Sequence, residues 1–242
     1  MLNYRPDQID KTDGRLKAPS ARHIFGTDHL GRDVLARVLQ GGRITLFISL
    51  CTVLCCLLLG STYGVVSGYI GGRLDALLMR IVDVLLSFPV LYLAVTCMAI
   101  TGMGILPLAL VIIFTSWMDI ARLVRAEILS IKTRAYVVRA RSSGLRSGRI
   151  MFVHMLPNTL PTLLAIGLLR VIDIIMLESA LSYLGIGIQP PSASLGSIIS
   201  DGRLYLMSAP WITLFPGLMI ILIAFAFFLL GEGLKEKRGM SF

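Results

Sequence analysis

Three ionisable residues stand where ionisable residues are costly. Arg170, Asp173 and Glu178 lie inside or at the edge of an apolar run from about Asn158 to Glu178. Ionisable groups at membrane depth usually face a cavity or a partner, so these three are candidates for lining a polar path through a bilayer. A second reading stays open for two of them. Arg170 and Asp173, three apart on one helical face, can serve only to neutralise each other. The other residue types that do chemistry are not arranged for it. The histidines, His23, His29 and His154, are scattered, and no G-x-S-x-G elbow or H-E-x-x-H helix accompanies them. No phosphate-cradling G-x-x-x-x-G-K-[ST] loop or dinucleotide fingerprint occurs, so the chain is read as neither an ATPase nor any other enzyme. His23 and His29 read as satisfied surface histidines. Cys51, Cys55, Cys56 and Cys97 all lie in apolar runs and read as small apolar residues, with no metal site or disulfide framework assigned.

The elements that must position these residues are membrane helices. Of 242 residues, 55% are hydrophobic and 15% charged, more apolar than soluble domains. Several uncharged runs reach the roughly 20 residues a helix needs to cross a bilayer. The fold class is therefore all-α and polytopic, with about five spans. The first runs from Ile44 to about Tyr69, with no charge between Arg43 and Arg73. The uncharged stretch from Val84 to Met118 is too long for one helix, and Thr101-Gly102-Met103-Gly104 with Pro107 marks a turn inside it. It splits into spans at about 82–101 and 105–121, with Pro89 as a tolerated kink in the former. The last two spans cover about 158–178 and 210–230. The net charge of +9 does not indicate nucleic acid, because most of the basic residues flank apolar spans.

Between the third and fourth spans lies a basic segment that no lipid would tolerate. Residues 122–149 carry Arg122, Arg125, Lys132, Arg134, Arg139, Arg141, Arg146 and Arg149 against the single carboxylate of Glu127. This charge places the segment on the cytoplasmic side. Tyr136, Val137 and Ala140 fall at helical spacing, Gly144 breaks the run, and Ile150, Met151 and Phe152 follow before Leu156 and Pro157. That is helix, turn, helix. An ordinary basic cytoplasmic loop is the simpler reading of the charge alone.

The spacing Ala140, Gly144, nine residues, then His154-Met155-Leu156-Pro157 resembles the cytoplasmic coupling loop of ABC importer permeases. That pattern is Glu-Ala-Ala, three residues, Gly, nine residues, Ile-x-Leu-Pro. Here Val138-Arg139-Ala140 replaces Glu-Ala-Ala, and His154 matches the dipeptide, oligopeptide and nickel branch. Two further stretches resemble the same branch. His23 to Leu46 contains HIFGTDHLGRDV, with Tyr4-Arg5-Pro6 ahead of it, and Glu178 to Arg203 contains ESALSYLGIGIQPP. In the family a transmembrane helix precedes the first of these, so either a naturally short chain or a start further upstream is expected.

The resemblance implies a division into a polar segment 1–43, a permease domain 44–234 with its coupling loop at 122–157, and a tail 235–242. It implies coupling residues at Tyr136, Arg139, Ala140, Arg141, Gly144, Arg149, His154, Leu156 and Pro157. It implies a homologous second permease subunit, two cytoplasmic ATPase subunits holding ATP and Mg, and an extracytoplasmic binding protein. It implies import of di- or oligopeptides or nickel chelates across a bacterial inner membrane, with no cofactor bound by this chain. The basic loop then puts the C-terminus in the cytoplasm. A stand-alone secondary transporter or channel and a non-transporting membrane scaffold are the alternatives.

Overall fold

The computed structural model describes residues 14–236. The expectations for Tyr4-Arg5-Pro6 and for the tail beyond Glu236 lie outside them. Regular structure in this range is helical, apart from an isolated antiparallel bridge between Thr27 and Asp33. Among the described residues, four helices are long and apolar enough to cross a membrane: α1 (Val34–Ile70), α4 (Ile105–Ile131), α6 (Ser147–Tyr183) and α8 (Trp211–Glu236). Between them lie α2 (Gly72–Leu86), α3 (Val90–Thr101), the short α5 (Ala135–Ser142) and α7 (Leu195–Gly202).

Helix α1 starts ten residues before the expected span. Asp33 caps it, its Oδ1 accepting the Ala36 N–H at 2.8 Å, which is the acceptor an N-terminal turn needs. Val34 and Val38 therefore enter the core. The cap is part of a polar knot. His23, expected at the surface, is buried with its Nδ1 2.8 Å from Asp33 Oδ2. Asp28 receives Arg32 Nε at 2.7 Å and Arg37 Nη1 at 2.8 Å. Burial pushes the Asp28 carboxyl up, but the Arg32 backbone N–H and the Arg32 and Arg37 guanidiniums outweigh it and hold its pKa below the usual value. Arg37 also reaches Asp201 of α7 at 3.0 Å, and Trp211 Nε1 donates to the Thr27 carbonyl at 3.1 Å. The N-terminal motif thus ties the start of α1 to α7 and the start of α8.

Helices α1 and α4 pack at close range because α1 presents Gly60, Gly64 and Gly68 to Ile120, Ala121, Val124 and Ile128. Small residues four apart let helix backbones approach where lipid supplies no hydrophobic drive. The span expected at 82–101 with a kink at Pro89 is found as two helices, α2 and α3, bent by 85°. Pro89 disfavours helical backbone at Phe88 and sits at φ −57°, ψ 125° as the cap of α3. Alone, the 12 residues of α3 span about 18 Å, short of a hydrocarbon core.

Candidate functional site

Between α1, α4 and α6 a cavity of about 210 Å³ is lined by Thr115, Ser116, Asp119, Arg170 and Asp173 together with apolar groups. Helix α6 places Arg170 and Asp173 on one face, and Arg170 Nη1 lies 3.2 Å from Asp173 Oδ2. The same nitrogen lies 3.2 Å from Asp119 Oδ2 on α4. The pair expected from spacing is therefore a triad. Asp119 carried a readable signal, since it is the first charge after the uncharged run from Val84 to Met118.

Glu178 is elsewhere. It is fully buried and does not line this cavity. Its Oε2 accepts from Thr45 at 3.0 Å and its Oε1 from Ser182 at 2.8 Å. Thr45 Oγ1 in turn accepts the Leu195 N–H at 3.4 Å, so Glu178 joins α6, α1 and α7. The structure thus sets Glu178 apart from the cavity of Arg170 and Asp173. Glu178→Ala is expected to leave buried hydroxyls without an acceptor and to destabilise the fold by about 2–4 kcal/mol. Glu178→Gln, which keeps an acceptor, is expected to cost less. Thermal unfolding of the detergent-solubilised protein checks this. An Ala variant as stable as wild type but defective in uptake would return Glu178 to the path.

At the opposite end of the bundle from the N-terminal knot lies the basic segment. Two of its cations are committed to α2. Arg125 grips Asp75 through Nε and Nη2, both at 2.6 Å, and Arg122 Nη2 meets Asp83 at 2.6 Å. Glu127 accepts from Thr162 at 3.2 Å, linking α4 to α6. Arg134, Arg139, Arg146 and Arg149 are exposed and form no salt bridge among the described residues.

Helix α5 ends in a Schellman turn. Leu145 N–H donates to Ala140 O at 3.3 Å and Gly144 N–H to Arg141 O at 3.0 Å, with Gly144 at φ +70°. Glycine is the residue that enters this left-handed conformation without strain. Val137 is buried, Tyr136 and Ala140 pack against the core, and the Arg141 guanidinium lies 5.7 Å from the centre of the Tyr69 ring. The segment is thus seated on the end of α1.

Helix α6 then runs unbroken from Ser147 to Tyr183, widening to π turns over Ile150–Met155. Pro157 and Pro161 withhold backbone donors here, and the Asn158 amide supplies one to the His154 carbonyl. Arg149 is exposed, His154 and Leu156 are half-buried, and Pro157 is exposed. Arg149 of the basic surface and the cavity residues Arg170 and Asp173 therefore share one continuous helix. That continuity was missed in the sequence, where the span was begun at Asn158.

The fold and these features can be set beside known proteins. The chain is 37% identical over 222 residues to the dipeptide transport system permease protein DppC of Alkalihalophilus pseudofirmus, covering 92% of this chain and 73% of that protein. It is 41% identical over 219 residues to the Bacillus subtilis protein of the same name, covering 90% and 68%. It is 37% identical over 220 residues to the oligopeptide transport system permease protein OppC of Bacillus subtilis, covering 91% and 72%. Among solved structures, an inward-facing form of the MetNI methionine ABC transporter superposes with a TM-score of 0.70 at 18% identity, over 84% of this chain and 96% of that one. That likeness concerns the fold. The family model for binding-protein-dependent transport system inner membrane components matches residues 60–238, and with relatives this similar over most of its length the chain belongs to that family.

Proposed function

We propose that the chain is one of two homologous permease subunits in an ATP-driven importer of di- or oligopeptides, and that α5, the Gly144 turn and the start of α6 form its coupling element. In this reading an extracytoplasmic binding protein delivers the solute at the end where the N-terminal knot meets α7. Two cytoplasmic ATPase subunits, which hold the ATP and Mg, act at the other end, and the C-terminus is cytoplasmic. The observation that carries it is the continuity of α6. A displacement imposed on Arg149 passes along a single helix to Arg170 and Asp173. The surface suits a groove: its exposed arginines stand beside the exposed Val138, Phe152 and Val153, a mixture of charge and apolar area suited to a protein partner.

Reconstitution tests the proposal. The chain, coexpressed with its second permease and an ATPase pair, is expected to copurify with the ATPase and to take up peptide only with ATP and the binding protein. Uptake by the permease without the ATPase would establish a stand-alone transporter instead. Copurification with no transport of any solute would favour a scaffold.

A further inference from the structure

We infer that the cavity of Asp119, Arg170 and Asp173 is a solute subsite that takes an alkylammonium group. The inference rests on the importer reading and names the chemistry that its path selects.

The charge count is the starting point. Both carboxylates approach the same nitrogen, Arg170 Nη1, each at 3.2 Å. One guanidinium neutralises one carboxylate, so the cavity holds one negative charge in excess. No other lining residue is charged, and Val53, Ile120, Ile174 and Leu177 form apolar walls. Such walls focus the field of an uncompensated charge into the cavity. A structural pair would need a single carboxylate and would be sealed by packing. Here the side chains of Asp119 and Asp173 are 38% and 63% exposed, and the space between them is open.

The occupant follows from size and donors. About 210 Å³ admits a charged head with its neighbouring carbons, not a whole peptide. An ammonium brings three N–H donors to two carboxylates that have acceptor capacity to spare. A carboxylate on the solute would meet two like charges and a guanidinium already shared. A bound metal ion is disfavoured, since no group of three metal-ligating side chains occurs among the described residues. The position is apt. Asp119 lies near the middle of α4 and Arg170 within the apolar part of α6, where an ionisable cluster is costly unless a path uses it.

Thiol labelling reads the cavity directly. In the complete transporter with the four native cysteines replaced, Ser116→Cys places a thiol on the cavity wall. The cationic reagent ethyltrimethylammonium methanethiosulfonate should modify it about tenfold faster than the anionic ethylsulfonate analogue, each normalised to a free thiol. The preference should vanish in Asp119→Asn, which leaves the cavity neutral, and reverse in Asp119→Asn with Asp173→Asn, which leaves Arg170 unbalanced. Equal normalised rates, or a preference unchanged by the two substitutions, would overturn the inference. A second measurement keeps native cysteines. Asp119→Asn should lower uptake of a lysine-bearing dipeptide several-fold more than that of a glutamate-bearing one. A ratio equal to that of wild type would overturn the subsite, while loss of all uptake by the wild-type complex would overturn the importer reading and leave the labelling ratio to decide the cavity.

Discussion

Gly144→Val is expected to leave the protein in the membrane, to weaken its hold on the ATPase and to abolish ATP-driven uptake. The reason is local. Gly144 sits at φ +70°, and a side chain in the left-handed region costs about 1–2 kcal/mol, most for a β-branched one. A Cβ there would meet nothing within 4 Å, so the strain comes from the backbone and not from neighbours in this chain. The turn relieves it by giving up the two bonds that close α5 and by swinging the exposed arginines out of register. The added bulk also faces whatever docks there. Gly144→Asn separates these causes, since asparagine enters the left-handed region readily; it is expected to retain most coupling. Peptide uptake and ATPase pull-down, with Ser147→Ala as a control, provide the measurement. Normal transport by the Val variant would show that residues 136–157 are not the coupling element.

Gly64→Val is expected to lower the stability and the yield of folded protein sharply. An added Cβ would lie 2.5 Å from the Ala121 carbonyl oxygen, 2.8 Å from Val124 Cβ and 2.9 Å from the Arg125 backbone nitrogen. Two of these atoms are backbone, so no rotamer change relieves the clash and α1 must move away from α4. That movement would also undo the close approaches at Gly60 and Gly68. Overpacking commonly costs 1–3 kcal/mol and more where backbones must part. About 3–4 kcal/mol lowers Tm by roughly 10 °C in a chain of this size. Gly217→Val is the matched control, since its Cβ would meet nothing within 4 Å. Equal stability of the two variants, read by size-exclusion profile and thermal unfolding in detergent, would mean that α1 and α4 do not depend on this stripe.

The legible parts of the chain were those where a short stretch carries its own instruction. The uncharged runs announced membrane helices because burying charge in hydrocarbon is costly. Gly144 announced a turn, because helical spacing fails there and glycine relieves a left-handed residue. The 140–157 spacing resembled a coupling loop and the family match followed. Element ends were less legible. Helix α1 begins at Val34 because Asp33 caps it, and the Asp28, Arg32 and Arg37 knot makes early charges tolerable. Hydropathy sees those charges and not their partners, so it delayed the start to Ile44.

By itself the sequence determined the fold class, the basic surface between α4 and α6, a kink at Pro89 and the common face of Arg170 and Asp173. Each depends on residues within a few turns of one another, whose separation the covalent backbone sets. Tertiary structure alone decided that Pro89 bends the chain by 85°, that the α1 glycines meet α4, and that Asp119 joins Arg170 from 51 residues away. It also decided that Glu178, ionisable and near a span edge, is buried among hydroxyls of α1 and α6. Periodicity places a side chain on a face of its own helix, but which face meets which neighbour is settled by packing between distant segments. Whether a buried charge is paired, shared or hydrogen-bonded is therefore a property of that packing, not of spacing along the chain.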